Sequence, residues 1–201
     1  MLHIMGAVRG ALCLVAILVP SWAKPAYSDE LPPNIVMVVV DDMQLGLLSS
    51  MPTVNALARE GITFDTARIQ VALCGPSRST LLTGRYAQNT AVYTNSHSKF
   101  YAAGNPANTF AVALQSVGYR TALIGKYING YPSPATTAYI PPGWTSWFGR
   151  IASNNGDVPY DYRLNENGVV TSHGSTEADY ATDVYFGKAL GFIDSAVAAS
   201  A

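Results

Sequence analysis

Asn34-Ile-Val-Met-Val-Val-Val-Asp-Asp42 is the most informative segment of the sequence for the architecture of the chain. The residues before Asp41 form a continuous apolar run that is rich in β-branched side chains and lacks polar alternation. Such a run is typical of a strand that is covered on both faces within a parallel sheet. The segment therefore predicts a buried strand that ends at the two aspartates.

Turn and helix-boundary residues divide the next part of the chain into further elements. Their order, β-α-β-α-α-β, favours an α/β layered domain with right-handed crossovers and a mainly parallel sheet. The predicted elements are a strand over 34–40, a helix over 52–60, a strand over 62–67, helices over 76–83 and 110–117, and a strand over 119–124.

Residues 128–175 differ from the rest because they are rich in proline, glycine and asparagine. This composition predicts a long irregular excursion, and such loops often cover a functional site. Thr176, with Asp179 three residues later, then predicts the start of a last helix.

Composition and charge exclude two broad classes of protein. The 201 residues fit one domain, and 49% hydrophobic residues with only 12% charged residues exclude intrinsic disorder. A formal net charge of −1, without any run of Lys and Arg, gives no electrostatic footprint for nucleic acid.

The first 28 residues are interpreted as a signal peptide. Arg9 precedes an apolar run over 11–19, and small residues follow through Ala23. The run is shorter than the about 20 residues that a membrane span requires.

We therefore expect export and cleavage after Ala23 or Ser28, with residues 29–201 as the mature chain and no membrane span after cleavage. The expected location is periplasmic or extracellular, or lysosomal in a eukaryote. A short lipid anchor or a buried helix is the alternative for this segment. Cys74 is the lone cysteine of residues 29–201.

The adjacent carboxylates of Asp41 and Asp42 are candidate metal ligands. Neighbouring side chains on a strand point to opposite faces, so the two can converge only where the backbone turns as the strand ends. Oxygen ligands of this kind suit Ca²⁺ or Mg²⁺ rather than Zn²⁺. Alternatively, one aspartate caps the following turn and the other is solvated.

Cys74 precedes a predicted helix N-terminus, where free amides and the helix dipole favour an anion, and Arg78 follows one turn later. A low-pKa thiolate nucleophile is one interpretation. The phosphate-binding loop of cysteine-dependent phosphatases, however, has arginine six positions after the cysteine, where this chain has Thr80. A buried, inert cysteine is the structural alternative.

The segment Leu73-Cys-Gly-Pro-Ser-Arg-Ser-Thr-Leu-Leu-Thr-Gly-Arg85 resembles the sulfatase signature. The resemblance implies that a formylglycine-generating enzyme oxidises Cys74 to formylglycine, whose hydrate is the nucleophile. It also implies an alkaline-phosphatase-like three-layer α/β sandwich with a mainly parallel central sheet. Residues 29–201 would be the N-terminal portion of that catalytic domain.

A second segment, Gly118-Tyr-Arg-Thr-Ala-Leu-Ile-Gly-Lys126, resembles another sulfatase signature. The resemblance implies that Lys126 binds the sulfate and that Arg78 stabilises the hydrated aldehyde. It also implies that a divalent cation, Ca²⁺ in preference to Mg²⁺, is bound by Asp41, Asp42 and modified Cys74. Tyr127-Ile-Asn129 replaces the Trp-His of many sulfatases, so that histidine is absent at its usual spacing. With this replacement, the segment resembles the corresponding segment in the branch of N-acetylglucosamine-6-sulfatases and extracellular heparan endosulfatases.

The expected function is hydrolysis of sulfate monoesters, on a sulfated sugar, a glycosaminoglycan or an aryl sulfate. The alternatives are a phosphate or phosphonate monoester hydrolase of the same superfamily and an inactive, glycan-binding remnant of a sulfatase. No later segment resembles the family's remaining calcium ligands. We therefore expect the 201-residue chain to be an N-terminal fragment with weak or no activity alone.

Overall fold

The computed structural model describes residues 32–154 and 156–199, so the predicted signal peptide over residues 1–28 lies outside the described residues. The chain divides into two compact units, Met1–Val40 and Asp41–Ala201. Within the described ranges, no helix is both long enough and apolar enough to cross a bilayer.

The described part of the second unit contains helices and strands in a mixed α/β order. The α-helices are α1 (Pro52–Glu60), α2 (Cys74–Thr83), α3 (Ala87–Thr90), α4 (His97–Ala102), α5 (Phe110–Ser116) and α6 (Ala181–Ala198). The strands are β1 (Ala122–Gly125), β2 (Ser146–Ile151), β3 (Tyr162–Glu166) and β4 (Val169–His173). Three 3₁₀ turns span Leu45–Ser50, Asn105–Asn108 and Glu177–Asp179.

The four strands form one sheet in the order β1-β2-β3-β4. Strands β1 and β2 pair in parallel, with Ala122 opposite Ser146. The β2–β3 and β3–β4 pairs are antiparallel. The prediction of a mainly parallel sheet is therefore wrong for the described part of the chain, although the α/β class is confirmed.

The two predicted strands before β1 are also absent from the sheet. Residues 34–40 form no described helix or strand, and the side chains of Ile35–Val40 are between 48% and 72% exposed. Residues 62–67 likewise form turns and irregular backbone, with Phe64 exposed. An apolar, β-branched run favours extended backbone, but a strand needs neighbouring chain to complete its hydrogen bonds and cover its faces. No described strand pairs with either segment.

The predicted irregular excursion over 128–175 contains strands β2, β3 and β4 instead. The turn between β3 and β4 is Asn167-Gly168, and both residues have positive φ, 53° and 95°. An Asn-Gly pair in this conformation is the strongest local signal for a two-residue β-hairpin. The high proline and glycine content of residues 128–175 predicted irregular structure in spite of this local hairpin signal.

Several predicted helix boundaries are confirmed. Helix α1 spans the predicted residues, and α5 ends one residue before the predicted end. Helix α2 begins at Cys74, two residues before the predicted start, and ends before Gly84, whose φ of 65° lies in the left-handed region. Thr176 and Asp179 form the predicted capping box, but it opens a 3₁₀ turn. The predicted start of the last helix is therefore wrong, because α6 begins only at Ala181.

An aromatic cluster fixes the backbone that follows β1. Tyr127, Tyr131 and Trp147 are almost completely buried. The Tyr127 and Trp147 rings meet edge to face with centroids 5.2 Å apart, a favourable geometry for aromatic rings. The Trp147 indole N–H donates to the Tyr131 hydroxyl over 2.8 Å, so its buried polar group is satisfied. Lys126, immediately before Tyr127, is thus anchored to the hydrophobic core.

Gly143 allows the loop before β2 to contact α5. Its φ is 92°, and a Cβ at this position would lie 2.5 Å from the backbone nitrogen of Val112. Gly104 has a similar φ of 69°, but a Cβ there would meet no atom within 4 Å. Alanine substitutions at these two glycines therefore distinguish the cost of the backbone conformation from the cost of a steric clash.

Gly143→Ala is expected to lower the free energy of unfolding by about 2 kcal/mol more than Gly104→Ala. Both variants carry the left-handed backbone penalty of about 1–2 kcal/mol, but only Gly143→Ala adds overpacking against α5. Urea unfolding of both variants measures the difference. Equal losses of stability would contradict the close contact between Gly143 and α5.

Candidate active site

The two aspartates at the start of the second unit converge with Cys74. Asp42 has a φ of 54°, so the backbone turns at this point, as the convergence of adjacent aspartates requires. One ligand atom from each of Asp41, Asp42 and Cys74 lies within 4.8 Å of the other two. In the described ranges, this is the only such group of three or more His, Cys, Asp or Glu residues.

The first turn of α2 positions Cys74. The Gly75 amide donates a hydrogen bond of 2.7 Å to the Asn95 side-chain oxygen. A Cβ at Gly75 would lie 2.7 Å from the Thr94 carbonyl oxygen, so a larger residue would displace the helix start. Glycine therefore permits the close approach that fixes Cys74 beside the aspartates.

Arg78 joins three segments of the site. It lies one turn after Cys74, and its Nη2 is 3.1 Å from Asp41 Oδ1. Its Nη1 donates to the Lys126 carbonyl oxygen over 2.7 Å. The side chain is only 12% exposed. Arg78 thus links Asp41, α2 and the residue that follows β1.

Lys126 lies between two carboxylates. Its Nζ is 2.6 Å from Asp41 Oδ2 and 2.8 Å from Asp157 Oδ2. Burial alone would lower the pKa of Lys126, but the hydrogen bonds to Asp157 and Asp41 outweigh it and raise the pKa. The ammonium therefore keeps its positive charge over the physiological pH range.

Both oxygens of Asp41 are occupied by side-chain cations. Burial alone would raise the pKa of Asp41, but hydrogen bonds from Lys126 and Arg78 hold it below its ordinary value. The carboxylate is therefore ionised at neutral pH. Asp41 is the point where the predicted site residues meet.

Two residues of this network were not predicted from the sequence, Asp157 and Arg150. Arg150 Nε lies 3.4 Å from Asp157 Oδ1. Both residues come from the part of the chain that was predicted to be irregular, and neither belongs to a short motif. Only the fold brings Asp157 beside Lys126 and Arg150 beside Asp157.

The two histidines of the described chain lie in other surroundings. His97 is fully buried among aromatic rings, and its Nδ1 is 2.7 Å from the Ser133 carbonyl oxygen. Burial lowers the pKa of His97. His173 stacks on Tyr162 with ring centroids 4.8 Å apart. Neither belongs to the group around Asp41 and Cys74.

The donor set at Asp41 and Asp42 fits a hard divalent cation. Two carboxylates supply the oxygen atoms that Ca²⁺ prefers, whereas the thiol of unmodified Cys74 is a soft donor. An oxygen at position 74 would match the two aspartates. Since Ca²⁺ takes about 6–8 oxygen ligands, these three residues account for only part of a coordination shell.

Comparison with known proteins identifies the family of the chain. A family model described as Sulfatase matches residues 33–200. The chain belongs to the sulfatase family. The predicted family resemblance is therefore confirmed, and the Cys74 and Lys126 segments that carried it lie within the matched residues.

Relatives of this sulfatase-family chain include sugar sulfatases. The chain is 39% identical over 159 residues to the Drosophila melanogaster extracellular sulfatase SULF-1 homolog, a match that covers 76% of this chain and 13% of the relative. It is 36% identical over 174 residues to the Homo sapiens N-acetylglucosamine-6-sulfatase, covering 81% of this chain and 31% of the relative. The matched region is thus under a third of either relative.

A solved structure shares the fold of much of the chain. It is the structure of BT4656 in complex with its substrate D-glucosamine-2-N,6-O-disulfate. The TM-score is 0.53 at 29% sequence identity, and the match covers 71% of this chain and 26% of the other.

Lys126→Met is expected to raise the pKa of Asp41. Burial would still disfavour the carboxylate, while one of its two cationic partners would be gone. In the unchanged chain the pKa of Asp41 lies below its ordinary 3.8, so its ion pairs stabilise the fold above that pH. This stabilisation is lost as the pH falls through the lower, folded-state pKa.

A ¹³C NMR titration of the Asp41 carboxyl group measures the shift. Lys188→Met is the matched control, because Lys188 pairs with Glu166 instead. It should leave the pKa of Asp41 unchanged. An Asp41 pKa that is the same with and without Lys126 would disprove the role of this ion pair.

Proposed function

We propose that the chain carries the nucleophile and anion-binding part of a site that hydrolyses sulfate monoesters. The observation that carries the proposal is the convergence of Cys74 with Asp41 and Asp42. Arg78 and Lys126 both pair with the Asp41 carboxylate of this group. Fixed cations beside a potential nucleophile suit the transfer of an anionic group. Family membership favours sulfate as that group.

The nucleophile would be the hydrate of a formylglycine formed from Cys74. One of its hydroxyl oxygens would attack the sulfur, and the bond from sulfur to the substrate's alcohol oxygen would break, so that the alcohol leaves with the proton released by the attacking hydroxyl. The second hydroxyl would then release its proton to water, the aldehyde C=O would re-form, and the bond between carbon and the sulfate oxygen would break. Sulfate departs, and water rehydrates the aldehyde.

Arg78 and Lys126 would hold and neutralise the reacting groups. Arg78 is fixed by the Lys126 carbonyl oxygen and Asp41, so its guanidinium is positioned before substrate binds. Lys126 offers a charged ammonium, the compact anion binder that the sulfate requires. Removal of one preorganised donor of this kind commonly costs a factor of about 10²–10³ in rate.

Asp41, Asp42 and the oxygen of modified Cys74 would hold Ca²⁺. When bound, the cation supplies Lewis acidity that offsets charge on the sulfate oxygens. For Asp41 this requires a change of partners, because both of its oxygens contact side-chain cations.

The proposed substrate is a sulfated sugar, and the proposed location is outside the cytoplasm. The relatives include an N-acetylglucosamine-6-sulfatase and an extracellular sulfatase homolog. The signal-peptide pattern over residues 1–28 agrees with export. Maturation would need a formylglycine-generating enzyme as a partner.

Mass spectrometry of the tryptic peptide over residues 69–78 tests the proposal. In protein made together with a formylglycine-generating enzyme, residue 74 is expected to have lost its sulfur and to react as an aldehyde. Turnover of an aryl sulfate by the 201-residue chain should be weak, because its described donors fill only part of a calcium shell.

Cys74→Ser made in the same way is the matched control and should carry no aldehyde if the enzyme accepts only cysteine. An intact thiol at residue 74, combined with retention of the chain on heparin, would favour a glycan-binding protein without this chemistry. Stronger inhibition of turnover by phosphate than by sulfate would instead favour a phosphate monoester hydrolase.

A further inference from the structure

Lys126 has a second carboxylate partner that the proposed reaction does not use. Asp157 Oδ2 lies 2.8 Å from Lys126 Nζ, nearly as close as Asp41 at 2.6 Å. Asp157 lies in the loop between β2 and β3, whereas Asp41 lies more than eighty positions earlier than Lys126 in the sequence. Two separate segments therefore converge on one ammonium group.

Asp157 is itself held by a buried cation. Arg150 Nε lies 3.4 Å from Asp157 Oδ1, and the Arg150 side chain is only 6% exposed. The guanidinium lies over the Tyr162 ring, 5.0 Å from its centroid, and its Nη1 is 3.3 Å from the Tyr185 hydroxyl. A guanidinium stacked and hydrogen-bonded in this way has little freedom to move.

The result is a row of five alternating charges: Arg150, Asp157, Lys126, Asp41 and Arg78. We call this set the charge row. Exposed ion pairs usually contribute little, but the three cations of the charge row are between 6% and 16% exposed. Their positions are therefore restricted by burial as well as by charge.

Binding of a divalent cation at Asp41 would disturb the charge row. If Asp41 turns an oxygen towards a divalent cation, Lys126 loses its shorter contact and is also repelled by the new positive charge. Lysine has a long and flexible stem, so an ammonium held by Asp41 alone would move away. The contact with Asp157 does not involve the proposed metal ligands.

We propose that Asp157, braced by Arg150, is a positioning residue that holds the Lys126 ammonium in place when Asp41 is engaged by a cation. The inference rests on the proposed function, in which Lys126 binds the sulfate. The loop between β2 and β3 would then contribute to the site a residue that lies outside both sequence motifs.

NMR of the lysine NζH₃⁺ groups tests the inference in the metal-free chain with unmodified Cys74. Asp41→Asn imitates the loss of Asp41 as a partner. Lys126 should keep a slowly exchanging ammonium signal in Asp41→Asn, because Asp157 still accepts its hydrogen bond. In Asp41→Asn/Asp157→Asn, exchange with water should be about tenfold faster, as expected when a charge-assisted hydrogen bond is lost.

Controls make the comparison specific. Lys126→Met assigns the signal, and Lys188, which is paired with Glu166, is the internal reference. Asp41→Asn/Asp161→Asn removes an exposed carboxylate from the same loop and should leave the exchange slow. Backbone amide spectra confirm the fold, and Asp157→Ser replaces Asp157→Asn in the double variant if that variant does not fold.

Fast exchange in Asp41→Asn alone would overturn the inference, because Asp157 would then be unable to hold Lys126. Slow exchange in the double variant would also overturn it, because another group would then be the anchor. Neither measurement uses the aldehyde, Ca²⁺ or turnover. Failure of the proposed reaction is therefore distinguishable from failure of this positioning role.

Discussion

The contact of Asp41 with Arg78 and Lys126 is the interaction on which the candidate site depends. It joins residues that come from three separate parts of the chain: the turn after the apolar run, helix α2 and the end of β1. Without the carboxylate, the two cations would face each other with no charge between them. Asp41 therefore determines whether the motif residues form one site.

The two sides of this junction are held in different ways. Lys126 is fixed by the core, because Tyr127 and Ile128 immediately after it are buried in the aromatic cluster around Trp147. Cys74 is fixed by backbone contact, because Gly75 lies against Thr94 and Asn95. Asp41 depends on its ionic partners, Arg78 and Lys126, which leaves its carboxylate able to exchange one cation for another.

Local sequence signals predicted the features that depend on nearby residues. Pro52 and Gly61 bracket α1, Gly84 ends α2, and Thr176 and Asp179 form a capping box, because each of these acts within a few residues. The motif around Cys74 identified the family for the same reason.

Features that depend on residues far apart in the sequence could not be predicted from the sequence pattern. The run over 34–40 indicated extended backbone, but not which strands would pair with it, and β2 was hidden within a loop-like composition. Asp157 and Arg150 gave no local signal, since their role arises only from the tertiary contacts of Asp157 with Lys126 and with Arg150. The candidate site was therefore predicted at its motif residues and missed at the residues that brace them.

In the proposed site, the Asp41 carboxylate exchanges its side-chain cations for a divalent cation shared with Asp42. A calcium titration followed by ¹³C NMR of the side-chain carboxyl groups tests this exchange most directly. We expect the Asp41 and Asp42 signals to shift together along one saturation curve, in about the millimolar range expected for a partial ligand set. Signals of both aspartates that stay constant while calcium shifts other carboxyl groups would contradict it.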